Sequence, residues 1–567
     1  MKKLNIIIFS FFGLLILSSC SNMLEPDSDL VEYEKDNTLD HATDSVYSVL
    51  GIIRQMQNIA DRSVLLGEAR ADLVVTTDAA SSDLKRLASF DFSQENVYNQ
   101  ASDYYAVINN CNYYLAHVDT AMVRRGRKIF EREFAAVKVF RAWTYLQLVL
   151  NYGSVPFVLE PMMTEIAARE ALEGPRLSIA EVCDRLINDL TPIANTDLPS
   201  FGSVGGYVSK QFFYPARVML GDLCLWAGRY LEAAQWYHDY LSDRTDYIHL
   251  STRNRATWRS STRFDLTTIS KNYDVTSSEE VLSFIPMESD IFNGVISDLR
   301  NVFTSTTDNY YYFQMTPSEG MYKLSEASEY CIQQENKNKT GYDTIYVKKG
   351  DVAERRLKGD LRFASNFSQS SAGSENEFSE YSYTYQYLYK FWSDRVPTCR
   401  KTVVYLRYAE ALNRAGFPQS AMCILKYGLC SDNIKDYVDS VEQVKAGNLI
   451  DFDAVEFTKE NTIGIHSFGS GDANANIYYA LPQPTAALAT RQDTVDYQIP
   501  LVENMIIDEM ALETSFEGYR FYDLMRVALR RNDPAYLAKP ISERTGKADD
   551  KLRSLLMNTQ NWYMPLP

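Results

Sequence analysis

The sequence predicts a mostly α-helical protein: a tetratricopeptide-like helical scaffold with a large, irregular, loop-rich insertion and a few short strands. Helix-period apolar patterns dominate to about residue 245 and return after residue 399. An internal helix-pair repeat lies in both parts, and a polar, tyrosine-rich stretch separates its two copies. The chain has 567 residues, 46% of them hydrophobic, which is enough for a sizeable core in one large unit or in two to three ordinary domains.

Residues 41–245 are predicted to form the N-terminal helical part. Within it, the stretch 128–150 is apolar along two helical stripes, so we expect a helix that is buried on most sides and ends before Gly153. Ser178, followed three residues later by Glu181, is typical of a capped helix start.

The internal repeat comprises residues 220–241 and 408–429. Each copy has a small residue, then a glycine seven positions later (Gly228 and Gly416) and an alanine five positions after that. This is the later part of the tetratricopeptide pattern, in which small residues let two antiparallel helices approach closely. Only two well-matched copies, far apart in the chain, predict a helical scaffold with an insertion rather than a regular solenoid.

The insertion is predicted over residues 246–398, and 399–567 form a C-terminal part with further tetratricopeptide-like helices. Residues 280–285 have the composition of a strand, and 381–389 carry tyrosine at every second position, which predicts a strand with the tyrosines on one face. Residues 431–480 are predicted to be loop-rich. The 39 tyrosines of the chain suit amphiphilic ligands such as sugars and peptides, although packing between helices would also use them.

The N-terminus predicts a lipid anchor. The apolar run at 4–17 follows two lysines and is too short for a spanning helix, which needs roughly 20 apolar residues. The sequence Leu-Ser-Ser-Cys that follows resembles the lipobox of bacterial lipoproteins. We therefore expect a signal peptide over 1–19, lipidation of Cys20 and a flexible tether over 20–40. The alternative is an ordinary signal peptide with an incidental cysteine.

Charge and cysteine content exclude several classes of function. The net charge is −17 and no long Lys/Arg block is present, so nucleic acid is not an expected partner. Seven cysteines remain besides Cys20, an odd number with no C-x-x-C pair. Buried free thiols are therefore predicted rather than a disulfide scaffold.

Motifs for catalysis, metal binding and cofactor binding are lacking in the sequence. The five histidines form no zinc motif, and G-x-S-x-G and the phosphate-binding P-loop are absent. A calcium-like stretch beginning at Asp472 has Ile477 and Gln483 at two defining positions, so we interpret it as a surface loop. We expect no catalytic residues, no metal and no cofactor, although a glycosidase carboxylate pair among the 74 acidic residues stays open.

The run 508–529 combines inward-facing aromatics with charges three residues apart at Glu517, Arg520, Asp523 and Arg526. We interpret these charges as a structural ion-pair ladder along one face of a packed helix.

Seven stretches, in this order, resemble the SusD/RagB family of outer-membrane nutrient-binding lipoproteins of Bacteroidetes. They are 17–20, 98–115, 133–158, 176–190, 402–416, 517–526 and 561–567. The resemblance implies a SusD-like fold over 20–567. It also implies a SusC-like TonB-dependent outer-membrane barrel as partner, over which the lipid-anchored protein acts as a lid at the cell surface.

The function implied is capture of a glycan and its delivery to that transporter, without enzymatic activity. Alternatives are capture of peptides or another nutrient, a surface glycan hydrolase, and a purely structural scaffold. Sugar binding needs aromatic faces for the rings and polar side chains for the hydroxyls. The resemblance also places a ligand-facing loop soon after the first helices. The predicted ligand-binding residues are Trp258, Tyr310, Tyr311, Tyr312, Arg70 and Asp72, although each aromatic could instead pack against the scaffold.

Overall fold

The computed structural model describes most of the chain after the predicted tether. The described ranges are 42–250, 280–305, 313–335, 338, 340, 342–347, 359–372, 383–391, 394–471 and 479–566. These residues are mainly α-helical, and their strands form two-stranded antiparallel pairs. No helix within these ranges is both long enough and apolar enough to cross a membrane.

The helices before the insertion are α1 (Ala42–Ala69), α2 (Ser82–Ala88), α3 (Ala101–His117), α4 (Glu131–Tyr152), α5 (Glu165–Leu172), α6 (Ile179–Leu190), α7 (Ala216–Trp226) and α8 (Tyr230–Leu241). Those of the insertion are α9 (Leu299–Phe303), α10 (Glu319–Glu326) and α11 (Leu361–Asn366). Those after it are α12 (Lys401–Arg414), α13 (Pro418–Lys426), α14 (Ser431–Tyr437), α15 (Ser440–Ala446), α16 (Ser467–Ser470), α17 (Arg491–Glu513), α18 (Arg520–Arg531), α19 (Ala535–Glu543) and α20 (Asp550–Leu556).

The strands are short. They are β1 (Val74–Thr76), β2 (Val123–Arg124), β3 (Arg127–Lys128), β4 (Ser154–Pro156), β5 (Arg176–Ser178), β6 (Ser203–Val204), β7 (Tyr207–Val208), β8 (Val281–Pro286), β9 (Met315–Pro317), β10 (Tyr330–Glu335), β11 (Tyr342–Val347), β12 (Phe367–Ala372), β13 (Tyr383–Leu388) and β14 (Arg395–Arg400). Most pair with the next strand along the chain; β1 with β9 and β8 with β14 are the long-range pairs.

Helix α4 confirms the prediction of a helix buried on most sides. Nearly every residue from Ala135 to Tyr152 is buried, and the helix ends at Gly153, whose φ of +75° is easily adopted only by glycine. The capped start of α6 is also confirmed: the Ser178 N–H donates to Glu181 Oε2 at 2.8 Å, and the Glu181 N–H donates back to Ser178 Oγ at 3.5 Å.

The internal repeat forms two helix hairpins, α7–α8 and α12–α13, as predicted. Gly228 and Gly416 occupy equivalent turns, with φ of +76° and +100°. A Cβ atom on Gly221 would lie 2.5 Å from the Tyr237 ring, so the small residue is required for the close approach of α7 and α8. Helix α12 also packs against α8, which joins the two copies in one core.

The insertion leaves and re-enters the helical core at adjacent strands. Strand β8 pairs antiparallel with β14, with Val281 opposite Arg400 and Pro286 opposite Arg395. The strand predicted around the alternating tyrosines is present as β13, which pairs with β12. Towards its end the half-buried rings of Tyr387 and Tyr389 stack with centroids 6.4 Å apart.

The prediction of a loop-rich region over 431–480 is wrong for its first part, which forms α14 and α15. The Asp439 carboxylate caps α15 by accepting hydrogen bonds from the N–H groups of Val441 and Glu442. The apolar pattern of α15 is too short to predict a helix from the sequence. The Asp439 cap adds stability to the helix that this pattern does not indicate.

The charged run near the C-terminus is structural, but its pairing differs from the predicted ladder. Asp523 and Arg526 pair along α18 at 2.8 Å. Arg520 instead pairs with Asp72 at 2.7 Å, and Glu517 pairs with Lys390 at 2.6 Å. Two of the four charges, Glu517 and Arg520, therefore join distant segments, while the Asp523–Arg526 pair follows the predicted spacing.

The cysteine prediction is confirmed. The seven cysteines that follow Cys20 in the sequence are all buried and free of disulfides. Burial raises the pKa of the Cys111 thiol to about 12, so this thiol is protonated at neutral pH.

Candidate functional site

The first candidate site is a surface that we name the loop face, formed by Asp61 of α1 and the segments 77–83, 92–98, 297–301 and 313–314. The antiparallel pairing of β1 with β9 brings its first and last segments together, with Thr76 opposite Met315. Loops of the helical part and of the insertion therefore meet at one place.

Hydrogen bonds fix these segments to one another beyond the strands. The Thr77 N–H donates to the Gln314 carbonyl at 2.9 Å, and the Ser81 N–H donates to Gln314 Oε1 at 3.0 Å. The Phe313 N–H donates to the Asn301 carbonyl at 3.0 Å. The predicted tyrosines at 310–312 lie outside the described residues, and the described chain resumes in this face at Phe313.

Phe313 has a strained backbone. Its φ is +74°, in the left-handed region that a bulky side chain rarely adopts. Such strain costs on the order of 1–3 kcal/mol and is concentrated at binding and catalytic sites. The hydrogen bonds of Phe313 and Gln314 hold this conformation in place.

Two carboxyl groups and a tyrosine lie at the centre of the loop face. Asp61 on α1 accepts hydrogen bonds from Ser297 Oγ at 2.6 Å and from the Asp298 N–H at 2.7 Å. Burial raises the pKa of Asp61 to about 6, and the neighbouring Asp298 carboxylate adds to the effect. The Tyr98 hydroxyl lies beside Ser81; burial, followed by nearby carboxylates, raises its pKa.

The segment that carries Tyr98 is held against α2. Asn96 Nδ2 donates to the Asp83 carbonyl at 2.8 Å, and the Val97 N–H donates to Asp83 Oδ2 at 3.2 Å. Val97 is 63% exposed and Tyr98 is partly exposed. The loop face thus combines apolar and aromatic groups with carboxylates and amides, the mixture that a sugar ring requires.

The second candidate site is a cavity of about 1090 Å³ that shares no residue with the loop face. We name it the polar cavity; it lies between the ends of α6 and α8, the starts of α7, β8 and α12, and the segment 456–461. Within the described ranges, no group of three or more His, Cys, Asp or Glu side chains is arranged to hold a metal ion.

The structure corrects the predicted role of Arg70. The side chain is fully buried, and its guanidinium donates to the carbonyls of Leu66 at 2.8 Å and Trp562 at 3.1 Å. It also lies 4.2 Å from the centroid of the Phe521 ring. Arg70 therefore fastens α1 to the C-terminal segments and cannot reach a ligand in solution.

The structure corrects Asp72 in the same way. It is 5% exposed, and both of its carboxylate oxygens accept hydrogen bonds from the Arg520 guanidinium, at 2.7 and 2.9 Å. This bidentate pair occupies both carboxylate oxygens within the core. The remaining predicted site residues, Cys20 and Trp258, lie outside the described residues.

Sequence reasoning missed the residues that form both candidate sites. Tyr98 stands in one of the stretches that carry the family resemblance, and it lies later in the chain than residues 70–72, where the ligand-facing loop was expected. Asp61 and Asp298 meet only through tertiary folding, so no local spacing could have joined them. The same holds for His249 and Lys401 in the polar cavity.

Comparison with solved structures identifies the fold. A SusD superfamily protein from Bacteroides vulgatus matches with a TM-score of 0.55 at 14% identity, over 94% of this chain and 96% of that one. A SusD-like carbohydrate-binding protein from Bacteroides fragilis matches with a TM-score of 0.53 at 14% identity, over 87% and 88%. B. fragilis NanU matches with a TM-score of 0.52 at 16% identity, over 93% and 95%.

The chain therefore has the SusD-like fold, as the resemblance implied. At these identities the likeness shows the fold and leaves the ligand to be argued from the site. No protein-family model matches the sequence, and no curated protein matches it.

Proposed function

We propose that the protein is a cell-surface lipoprotein that captures a glycan and delivers it to a TonB-dependent outer-membrane transporter. The observation that carries the proposal is the SusD-like fold, shared over most of its length with a protein described as carbohydrate-binding. The loop face supplies suitable chemistry at the meeting point of two parts of this fold.

The loop face can bind a sugar through complementary contacts. Tyr98 offers a ring on which the C–H face of a sugar can stack, while Asp298 and Gln314 can bond its hydroxyls. Several such contacts are needed, because each one adds only on the order of 1 kcal/mol. Tyr310, Tyr311 and Tyr312, which precede Phe313 in the sequence, stay proposed ligand-binding residues.

The proposed location rests on the sequence features before residue 41. Lipidation of Cys20 would anchor the chain, since several acyl chains give stable attachment to a membrane. The tether over 20–40 would let the binding unit move as a lid over a SusC-like barrel. The net charge of −17 disfavours direct adsorption to an anionic membrane, so the lipid would supply the attachment.

Calorimetry with the mature protein tests the ligand class. We expect binding to members of a glycan panel and none to peptides of similar size, and the Tyr98→Ala variant should bind the best glycan about tenfold more weakly, which corresponds to ~1.4 kcal/mol. The matched control is Tyr497→Ala, an exposed tyrosine on α17 outside the loop face, which should bind normally.

Three results would contradict the proposal. Binding of peptides alone would replace glycan by peptide as the ligand. Release of shortened products from the panel would show a hydrolase. Equal binding by Tyr98→Ala and the parent protein would remove the loop face as the binding site.

A further inference from the structure

We propose that the polar cavity is a second carbohydrate-binding site, selective for oligosaccharides that carry a carboxylate or sulfate group. The proposal rests on the proposed function only in taking the ligand to be a carbohydrate. Its site follows from the side chains of the cavity itself, and the selectivity for negative charge is inferred from two of them, Lys210 and Lys401.

The walls of the polar cavity are held in place by hydrogen bonds. Arg217 at the start of α7 donates to Asp243 Oδ2 at 2.7 Å, to the Asp239 carbonyl at 3.0 Å and to Asn195 Oδ1 at 2.8 Å. One guanidinium thereby joins three segments around the opening. A site fixed before binding loses less conformational entropy when a ligand enters.

One wall of the cavity is aromatic. The rings of Tyr247 and His249 are nearly parallel, 24° apart with centroids separated by 6.1 Å. Phe457 packs edge-on against both, at 5.7 Å from Tyr247 and 4.6 Å from His249. Tyr240 also lines the cavity. Rigid aromatic surfaces of this kind suit the apolar faces of sugar rings.

The cations of the cavity fall into two groups. Arg132 and Arg217 are neutralised by ion pairs with Asp197 and Asp243, at 2.5 and 2.7 Å. The ammonium groups of Lys210 and Lys401 make no ion pair or side-chain hydrogen bond with the described residues. These two cations are therefore available to an anionic ligand.

A third polar group without a partner lies beside Lys401. The Nε2 atom of His249 is buried and makes no hydrogen bond with any described residue. Burial is the main cause of the lowered pKa of His249; the Lys401 charge lowers it too, while Glu456 opposes both. The lowered pKa favours the neutral imidazole, so His249 adds no positive charge to the cavity, and its buried Nε2 is closed to a ligand in this conformation.

The acidic residues of the cavity indicate a hydroxylated ligand rather than a simple anion. Asp246, Glu456 and Glu460 also line it, and their carboxylates can accept hydrogen bonds from sugar hydroxyls. A volume of about 1090 Å³ slightly exceeds the usual range for ligand pockets, roughly 300–1,000 Å³. A lone sulfate or phosphate would leave most of this space empty, whereas an oligosaccharide would fill it.

Calorimetry with oligogalacturonates, sulfated galactose oligomers and neutral galactose oligomers of equal length tests the proposal on the mature protein. We expect an acidic series to bind more tightly than the neutral one, and Lys401→Gln to weaken acidic binding about tenfold or more, since a charge-assisted hydrogen bond is lost. Tyr247→Ala should weaken it as well. The control Lys445→Gln removes an exposed lysine of α15 outside the cavity and should change nothing. Comparing the uronate and sulfate series identifies the source of the charge.

The outcomes separate this site from the loop face. Acidic binding that survives Tyr98→Ala and is lost in Lys401→Gln supports the proposal, even where no loop-face ligand is found. Equal affinity for acidic and neutral oligomers, no binding of any acidic oligomer, or full binding by Lys401→Gln would overturn it. A crystal structure with the tightest acidic oligomer should show the ligand against Tyr247, and a ligand seated only at the loop face would also overturn it.

Discussion

Two charged regions of this molecule differ in how their side chains are paired. In the buried charge network, the side chains bond to one another between the insertion and the C-terminal helices. Its members are Glu280, Asp360, Arg362, Lys390, Arg400, Glu509, Glu513 and Glu517. In the polar cavity, similar side chains stand in contact with solvent, and two lysines lack partners among the described residues. Paired charges hold the fold together, whereas unpaired charges are free to bind a ligand.

Arg362 shows what complete pairing means. Its guanidinium lies 2.8 Å from Asp360, 2.6 Å from Glu509 and 3.2 Å from Glu513, and all four side chains are almost fully buried. Asp360 and Arg362 belong to the insertion, while the two glutamates lie on α17. The network therefore fixes the loop-rich part of the molecule to the helical scaffold.

The largest expected effect comes from breaking this network with Arg362→Met. The substitution takes the cation from Asp360 and one partner each from Glu509 and Glu513, which keep His466 and Arg400. Breaking a buried pair typically costs about 3–5 kcal/mol. Urea denaturation should show that loss in the free energy of unfolding. A loss below about 1 kcal/mol would mean that the carboxylates can be neutralised by protons or water and that the network is not what joins the two parts.

The sequence could predict features that depend on neighbouring residues, but not contacts between distant parts of the chain. Gly153, Ser178 and Gly228 act on their immediate neighbours, so local spacing was sufficient to place the ends of α4, α6 and α7. Arg70 and Asp72 follow the first helices, where the family resemblance implied a ligand-facing loop. Their partners Trp562 and Arg520 lie hundreds of positions further along the chain. Their burial follows from tertiary packing that a single sequence does not display.

The residues of the candidate sites could not be predicted from the sequence for the same reason. Asp61 and Asp298 in the loop face, and His249 and Lys401 in the polar cavity, are each brought together by contacts between the insertion and a helical part. Tyrosine content left both aromatic binding surfaces and packing between helices open. It could not distinguish Tyr98, which is partly exposed, from Tyr104, which is buried in α3.

The second prediction concerns Glu68, a buried carboxyl group that is only partly satisfied. Its Oε1 accepts a hydrogen bond from the Gly518 N–H at 2.8 Å, while Oε2 is buried without a hydrogen-bond partner in the described structure. Burial raises its pKa from 4.5 to about 8. The folded protein therefore binds this proton more tightly than the unfolded chain.

The pH dependence follows from that sign. The contribution of Glu68 to stability is fully present below about pH 4.5 and is lost as the pH rises towards 8, by on the order of 2–4 kcal/mol. Glu68→Gln, which cannot ionise, should flatten the curve of unfolding free energy between pH 5 and 8, as measured by denaturation at each pH. Measurements near pH 4, where both side chains are neutral, provide the internal control, and an unchanged slope would contradict the prediction.

The smallest expected effect lies at the rim of the polar cavity, in the ion pair of Arg132 and Asp197. These side chains are 53% and 74% exposed, so water already solvates both charges and salt screens their attraction. Arg132→Gln should lower the free energy of unfolding by less than about 1 kcal/mol, with a difference from the parent that shrinks as salt is added. A loss of about 3 kcal/mol, comparable with that expected for Arg362→Met, would show that the rim is part of the structural framework. In that case the extent of ion pairing would no longer distinguish the polar cavity from the buried charge network. The unpaired lysines of the cavity would then need an explanation other than ligand binding.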